Sequence, residues 1–359
     1  MMTISQSTTT TLEATRADLH AKLRGIVPEA ELELKAELAY SINQIKAERG
    51  AVILGHNYME PALFHSVCDF TGDSLELSRV AAQTEADPII FCGVRFMAET
   101  AKILNPDRMV LLPARRAGCS LAESISAADV RNLRARYPEA PVVVYINTYA
   151  DVKAEADICC TSGNAAKIVN ALDADQIIFL PDEYLAQNVA RETGKSIVFP
   201  SLGPVSGQTR ETAASRGMQY DIVGWTGRCE VHEKFTIDDI DSVRSQFPEV
   251  VVLAHPECSP SVVDAADFSG STSAMSNYIR DSAAGQYLLL TECSMGDNIA
   301  AEAPDKDMLR LCSVRCPHMN EITLEHVLTA LREDRQQIDV PEEIRVRARV
   351  AIDRMLELS

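Results

Sequence analysis

Val251-Val252-Leu253-Ala254-His255-Pro256-Glu257, followed by Gly270-Ser271-Thr272-Ser273, is the stretch of sequence that decides the fold. Its continuous apolar run predicts a buried parallel strand, because helices cover such strands on both faces of the sheet. The strand ends on polar residues, a helical segment follows, and the Gly/Ser/Thr turn 17 positions after His255 opens another helix. The stretch therefore describes one βα unit.

The same unit occurs twice more in the chain. Val52-Ile53-Leu54-Gly55-His56-Asn57-Tyr58 leads to Gly72-Asp73-Ser74, and Val142-Val143-Val144-Tyr145-Ile146-Asn147 leads to Thr161-Ser162-Gly163. His56 precedes Ser74 by 18 positions, and Tyr145 precedes Ser162 by 17. A repeat of this length predicts three related βα units or domains.

The alternation of strands and helices predicts an α/β protein whose parallel sheets are covered on both faces. We expect strands in the second unit near 142–146, 176–180 and 196–199, followed by the least regular stretch of the chain, 201–225. The predicted parts are an N-terminal tail with helices (1–50), three αβα domains (51–130, 131–235 and 236–322) and C-terminal helices (323–359).

Composition excludes several classes of function. The 359 residues carry a net charge of -18, which argues against nonspecific nucleic-acid binding, since that needs a basic surface. No apolar run approaches the roughly 20 residues of a membrane span, and the polar start of the chain does not resemble a signal peptide. We therefore expect a cytoplasmic protein whose ten cysteines are reduced thiols or metal ligands.

One cysteine in a turn-like context follows each repeat, namely Cys119, Cys229 and Cys316. One thiolate from each unit would place three ligands around a common axis, an arrangement that suits a metal cluster better than a disulfide. Spacing alone leaves a ligand role and a structural role equally open. Cys312 and Cys316 also form a C-x₃-C pair, which is only a weak zinc-like signal. The remaining cysteines sit in or beside apolar segments, as buried packing thiols do.

Polar residues end the first strand of every unit. Because open α/β sheets bind ligands beyond the carboxyl ends of their strands, these residues predict one pocket. They are His56, Asn57 and Tyr58 in the first unit, Tyr145 and Asn147 in the second, and His255 and Glu257 in the third. Tyr58 and Glu257 each lie two positions past a histidine, so strand alternation would keep both on the side of that histidine.

Ser74, Ser162 and Thr272 occupy the following helix starts. Each could be a plain helix N-cap, and their common register is what favours a role in binding. Helix N-termini bind anions through backbone N–H groups, so the pocket would suit polyanionic substrates. His232, three positions after Cys229, is a further candidate because it stands beside a possible ligand.

Several longer motifs resemble the quinolinate synthase family over roughly residues 40–335. They are His56-Asn57-Tyr58, Gly72-Asp73-Ser74, Phe96-Met97-Ala98-Glu99-Thr100-Ala101, Ala117-Gly118-Cys119-Ser120, Tyr145-Ile146-Asn147, Cys159-Cys160-Thr161-Ser162, His255-Pro256-Glu257-Cys258 and Gly270-Ser271-Thr272-Ser273-Ala274-Met275. The resemblance implies three Rossmann-like domains related by pseudo-threefold symmetry, with a [4Fe–4S] cluster and the active site at their common interface.

The resemblance also implies a reaction in NAD biosynthesis. Iminosuccinate (iminoaspartate) condenses with dihydroxyacetone phosphate and gives quinolinate, phosphate and water, with an open iron of the cluster as Lewis acid. Carried over by motif, the cluster ligands are Cys119, Cys229 and Cys316. The iminosuccinate site falls on His56, Ser74, Tyr145, Asn147, Ser162, His255, Glu257 and Thr272, with Tyr58, Glu257 and His232 as proton carriers. A functional link to L-aspartate oxidase is implied as well.

Two other classes of protein remain open at this point. One is a redox-sensing or electron-transfer iron–sulfur protein, which would need a fourth cluster ligand and no anion pocket. The other is an anion-binding α/β protein with zinc.

Overall fold

Three parallel sheets form the framework of the protein, for which the computed structural model describes residues 11–200, 220–311 and 314–359. All strand pairings within the described sheets are parallel. Helices alternate with the strands, so the predicted α/β class with three αβα domains is confirmed. The domain borders proposed above stay a prediction, as does the pseudo-threefold axis.

The first domain has a four-stranded sheet whose central strand carries the first repeat. In spatial order the strands are β2 (Phe70–Gly72), β1 (Val52–His56), β3 (Ile89–Cys92) and β4 (Val110–Leu111). Its helices are α3 (Pro61–Ser66), α4 (Ser74–Gln83), α5 (Arg95–Leu104), α6 (Ser120–Glu123) and α7 (Ala127–Arg136).

The second domain has five strands and differs from the prediction at one edge. Their order is β6 (Ile158–Cys160), β5 (Val142–Tyr145), β7 (Ile177–Leu180), β9 (Ile222–Val223) and β8 (Ile197–Val198). The predicted strand at 196–199 is thus the edge strand. The strand beside β7 comes from the stretch expected to be irregular, because two apolar residues are too few for a recognisable pattern. Residues 201–219 of that stretch lie outside the described part. The helices are α8 (Ala150–Lys153), α9 (Ala165–Ala171) and α10 (Glu183–Thr193).

The third domain repeats the strand order of the first. The strands are β11 (Phe268–Ser269), β10 (Val251–Ala254), β12 (Gln286–Leu290) and β13 (Asp307–Arg310). The helices are α11 (Ile237–Gln246), α12 (Pro260–Ala265), α13 (Thr272–Asp281) and α14 (Cys293–Glu302), and single 3₁₀ turns span His232–Lys234 and Met319–Glu321. The strands β1, β5 and β10 therefore hold equivalent central places.

Four helices at the ends of the chain pack on this framework. They are α1 (Leu12–Leu23), α2 (Glu29–Arg49), α15 (Leu324–Glu333) and α16 (Glu342–Leu358). Gly50 ends α2 with a φ of 63°, a left-handed conformation that glycine adopts without steric cost. Pro341 is the N-cap of α16. Among the described helices, none combines the length and the apolar character that crossing a membrane requires.

Gly55 on the buried strand β1 offers a test of the packing behind the first repeat. A Cβ at this position would overlap Sγ of Cys68, so we expect Gly55→Ala to destabilise the protein by about 1–3 kcal/mol through overpacking. Gly285→Ala is the matched control, because a Cβ there has open space and the φ of Gly285 is not positive. Thermal unfolding measures both, and equal melting temperatures for the two variants would contradict the packing. Adding Cys68→Ala should restore part of the lost stability.

Candidate active site

One cavity collects the residues that the sequence analysis placed in the site, with the exception of Asn57, which does not line it and instead donates through Nδ2 to Oγ1 of Thr272 over 2.9 Å. It encloses about 720 Å³ between protein atoms, solvent at its mouth included. Its lining includes the predicted residues His56, Tyr58, Ser74, Cys119, Tyr145, Asn147, Ser162, Cys229, His232, His255, Glu257, Thr272 and Cys316. The carboxyl ends of the strands β1, β5 and β10 therefore all point toward this one cavity.

The histidines that end two of these strands begin identical turns. The N–H groups of Met59 and Cys258 donate to the carbonyls of His56 and His255 over 3.0 and 2.9 Å. The expectation that the chain stays extended beyond the two histidines is therefore wrong, because an alternating strand pattern does not reveal the residue at which the chain turns. Tyr58 still reaches the cavity, as the sequence analysis expected.

These turns also fix the tautomer of their histidines. The backbone N–H of Tyr58 donates to Nδ1 of His56 over 3.2 Å, and that of Glu257 donates to Nδ1 of His255 over 3.3 Å. With Nδ1 as an acceptor, the proton of a neutral imidazole resides on Nε2. Nε2 of His255 lies 3.4 Å from Oγ of Ser162, so its N–H faces a second cavity residue.

Both imidazoles are neutral at physiological pH. Burial lowers the pKa of His56 to about 4, although the nearby carboxylates of Asp73 and Glu257 act in the opposite direction. Burial and the neighbouring His232 lower the pKa of His255 to about 3. The cavity therefore offers N–H donors without a formal positive charge on either ring.

Glu257 is the carboxylate at the centre of the site. Its Oε1 accepts hydrogen bonds from the hydroxyl of Tyr145 (2.6 Å) and from Nδ2 of Asn147 (3.2 Å). Its Oε2 lies 2.7 Å from Nδ1 of His232. Burial acts to raise the pKa of Glu257, but His232, His255 and the Tyr145 hydroxyl outweigh it and hold that pKa below its usual range. The side chain is therefore an ionised carboxylate.

A chain of polar contacts leads from this carboxylate through His232. The ring of His232 stacks on that of His255, with centroids 4.4 Å apart and planes 21° apart. Its Nε2 lies 3.0 Å from Oγ1 of Thr291, which is 2.5 Å from the hydroxyl of Tyr58. Burial and then Glu257 raise the pKa of Tyr58, so its phenol keeps its proton. The arrangement can pass a proton between Glu257 and Tyr58.

The predicted helix-start hydroxyls are not helix N-caps. Asp73 caps α4 by accepting from the N–H groups of Leu75 and Glu76, both over 3.0 Å, and Ser74 is the first helical residue. Ser271 caps α13, and Thr272 is again the first residue. In the second domain α9 begins only at Ala165, with Asn164 as its cap. The N-cap interpretation is therefore wrong, because a neighbouring polar residue takes that place in each unit.

Cys119, Cys229 and Cys316 share one local geometry at the cavity wall. Each begins a short helical turn, and the backbone N–H groups two and three positions further along point at its sulfur. Burial raises the pKa of Cys119 to about 12 and that of Cys316 to about 11, and it raises the pKa of Cys229 as well. The negative charge of a Cys316 thiolate adds to the rise at Cys119, and that of a Cys119 thiolate to the rise at Cys229, and all three residues line the same cavity.

This donor set fits an iron–sulfur cluster. Three partly buried thiols that line one cavity are soft ligands, and a bound metal replaces their protons and supplies the missing positive charge. N–H groups that point at the sulfurs are a usual feature around such clusters. Outside this set, Cys68, Cys92, Cys159, Cys160, Cys258 and Cys293 do not line the cavity, and Cys312 lies outside the described residues.

Two features of the site were missed by sequence reasoning. Thr291 joins Tyr58 to His232, and its signal was its place directly after the strand β12. Glu230 pairs with His318 over 3.0 Å at the cavity wall, and each is the near neighbour of a predicted cysteine. Thr291 could have been found by looking for polar residues after β12 as well as after β10, since ligands bind beyond the carboxyl ends of strands in such sheets.

Comparison with known proteins gives a consistent result over most of the chain. A model of the family described as "Quinolinate synthetase A protein" matches residues 40–357. Quinolinate synthase 1 of Mesorhizobium japonicum is 48% identical over 340 residues, which cover 95% of this chain and 97% of that protein. Quinolinate synthase of Agrobacterium fabrum is 48% identical over 342 residues, covering 95% and 92%, respectively.

We expect the two neutral histidines to make the stability of the protein depend on pH. Their pKa values of about 4 and about 3 lie below the roughly 6.5 of an unfolded chain, so the unfolded state binds more protons in between. Their contribution is complete above about pH 6.5 and is lost as the pH falls through the folded values. Melting temperatures between about pH 8 and about pH 4 should fall less steeply for His255→Asn than for the wild type. Parallel curves would contradict the assignment.

Proposed function

The chain belongs to the quinolinate synthetase A protein family and has quinolinate synthase activity in NAD biosynthesis, and we propose that it exerts this activity in the cavity described above. The proposed reaction condenses iminosuccinate with dihydroxyacetone phosphate and yields quinolinate, one phosphate and two waters. The observation that carries the proposal is that one cavity joins the strand ends of three domains to three partly buried cysteines. A carbon–carbon bond, a dehydration and a ring closure then share a single site.

Cys119, Cys229 and Cys316 are the proposed ligands of a [4Fe–4S] cluster. These three thiolates would hold the cluster and leave one iron without a protein ligand, and such an iron would supply a Lewis acid for polarising a hydroxyl or an imine. The three turns support this assignment because their N–H groups stabilise negative charge on sulfur. A bound metal would displace the thiol protons and stabilise the thiolates, which burial disfavours in the absence of a metal.

Iminosuccinate carries two carboxylates, and the cavity supplies neutral donors for them. His56 and His255 offer their Nε2–H groups, whose tautomer the turns set. Hydroxyls come from Ser74, Ser162 and Thr272 near the starts of α4, α9 and α13, where the helix dipole also favours negative charge. Tyr145 and Asn147 complete the proposed substrate site and also hold Glu257.

Proton transfer is assigned to Glu257, His232 and Tyr58. An ionised Glu257 holds His232 through Nδ1, which leaves Nε2 facing the hydroxyls of Thr291 and Tyr58. The carboxylate can accept a proton from a substrate carbon, and the phenol can donate one to a departing hydroxyl. All three groups line the cavity, which is where general acid–base catalysis requires them to be relative to a bound substrate.

A zinc site is the second candidate, since Cys229, His232 and Glu257 place ligand atoms within 4.8 Å of one another. Such a mixed set of sulfur, nitrogen and oxygen resembles the ligands of catalytic zinc. The cluster is preferred because it also accounts for Cys119 and Cys316 and for the repeated turn geometry. An electron-transfer protein would need a fourth cluster ligand and no anion pocket. This role is less well supported, because the cavity combines three cysteines with a set of anion-binding donors.

The proposed setting is the cytoplasm, with a functional link to L-aspartate oxidase as the source of the imine substrate. The chemistry supports such a link, since an imine of an amino acid arises by oxidation of its amine. Direct supply would shorten the time that the imine spends in water.

We expect Cys119→Ser, Cys229→Ser and Cys316→Ser each to abolish the cluster and the formation of quinolinate, because a hydroxyl of high pKa is a poor ligand for iron. Iron, sulfide and zinc content and the visible absorption of anaerobically purified protein measure the first effect. Cys159→Ser and Cys258→Ser are the matched controls, since both residues are buried away from the cavity. Iron near the wild-type level in any of the three variants would remove that cysteine from the ligand set.

We expect Glu257→Gln and Tyr58→Phe to retain the cluster and lose roughly 10²–10⁴-fold in turnover, the usual contribution of a general acid or base. Each substitution keeps the shape of the side chain and removes only its titratable group. Tyr287→Phe is the control, because that buried hydroxyl donates to the carbonyl of Ala284 over 2.8 Å, away from the site. Turnover of Glu257→Gln close to that of the wild type would shift the role of base to His232.

A further inference from the structure

Two asparagines hold equivalent places on the helices that follow β7 and β12. The N-cap of each helix lies two residues beyond the end of its strand, at Asp182 for α10 and at Glu292 for α14. Asn188 and Asn298 each lie six positions after that cap. The repeat of the fold therefore places the same amide in the second and third domains.

Both asparagines bind the turn that follows a strand-end histidine. Nδ2 of Asn298 donates to the carbonyls of Asn57 and Met59 over 3.1 and 2.9 Å. In the same way Nδ2 of Asn188 donates to the carbonyls of Pro256 and Cys258 over 2.9 and 3.0 Å. The carbonyls are those of the first and third residues after His56 and after His255, so the two contacts are equivalent atom by atom.

Each contact crosses from one domain to another. Asn298 belongs to the third domain and binds the turn of the first, whereas Asn188 belongs to the second domain and binds the turn of the third. Neither asparagine is among the described residues that line the cavity, so neither side chain is placed to touch a substrate. Their effect on the site must pass through the turns.

The turn geometry shows what the asparagines hold in place. The N–H groups of the second and third residues after each histidine bind Nδ1 and the carbonyl of that histidine, while the carbonyls of the first and third residues accept from the asparagine amide. One NH₂ group that bridges both carbonyls keeps them on the same side of the turn. Within the described part of the chain, Oδ1 of both asparagines is buried without a hydrogen-bond partner. Each asparagine side chain therefore contacts the turn through its NH₂ group and not through its oxygen.

The first domain departs from this pattern. Thr100 occupies the equivalent place, six positions after the N-cap Val94, and donates to the carbonyl of Phe96 in its own helix over 2.8 Å. The loop after Tyr145 is held instead by Lys153, which donates to the carbonyl of Thr148 within the second domain. Thr100 is thus a natural control for its two asparagine counterparts.

We propose that Asn298 and Asn188 are positioning residues for the quinolinate synthase reaction, each of which keeps the catalytic turn of the next domain closed. Asn298 positions His56 and Tyr58, and Asn188 positions His255 and Glu257. The proposal rests on the proposed roles of those four residues. The proposal gives each asparagine a separate effect, because each holds one turn and does not act on the site as a whole.

The test is a crossed double-mutant cycle on the cluster-loaded enzyme. Asn298→Ala and Asn188→Ala are each combined with Tyr58→Phe and with Glu257→Gln, and kcat and KM are measured per cluster. Misplacement of a catalytic group by about 1 Å can cost on the order of 10²-fold, so each single variant should lose kcat by up to that factor. Thr100→Val should leave kcat unchanged.

The expected result is a crossed pattern of coupling. Asn298→Ala should add little to Tyr58→Phe but its full effect to Glu257→Gln, and Asn188→Ala should do the reverse, since only residues that act through one group are non-additive. Equal additivity in all four pairs, or unchanged kcat in both single variants, would overturn the proposal. Asn298→Ser and Asn188→Ser, which keep a donor, replace any alanine variant that loses its cluster.

The same data separate this proposal from the proposed function. If Tyr58→Phe and Glu257→Gln retain wild-type turnover, the assigned catalytic roles fail, and the positioning proposal, which rests on them, is overturned with them. If those two variants are impaired while the asparagine variants match Thr100→Val, only the positioning proposal fails.

Discussion

The buried carboxylate of Glu257 is the interaction on which the rest of the site depends. A charge taken out of water needs several donors, and Glu257 finds them in Tyr145 and Asn147 of the second domain and in His232 of the segment that connects the second sheet to the third. These partners meet only when the domains are packed together. The same contacts that keep the carboxylate ionised therefore also join the domains around the cavity.

The cavity stays nearly free of formal positive charge although its proposed substrates are anions. His56 and His255 are neutral because burial disfavours the charged ring, and their turns direct Nε2–H groups into the space. Helix starts add further donors that bear no net charge. We propose that such a site binds a dicarboxylate through dipoles, which a protein with a net charge of -18 can provide locally without a basic surface.

The backbone performs a comparable task at the three proposed cluster ligands. Each of Cys119, Cys229 and Cys316 begins a helical turn whose N–H groups face its sulfur, and the three turns come from distant parts of the chain. Cys229 is followed three positions later by His232, whose Nδ1 lies 3.2 Å from its sulfur. The segment around Cys229 thus places a proposed cluster ligand and a proposed proton carrier within one turn.

By itself, the sequence determined the three parallel sheets and the identity of the residues at their strand ends, because apolar runs and the spacing of polar residues are local properties. Ile222–Val223 was not predicted because a two-residue strand has no pattern. The sequence left open whether Ser74 and Thr272 are helix N-caps, and the structure gives that place to Asp73 and Ser271. The turns after His56 and His255, the linkage through Thr291 and the asparagine contacts between domains were decided only by the tertiary structure. These features depend either on atoms that lie far apart in the chain or on the residue at which a strand ends. The periodicity of a single segment encodes neither kind of information.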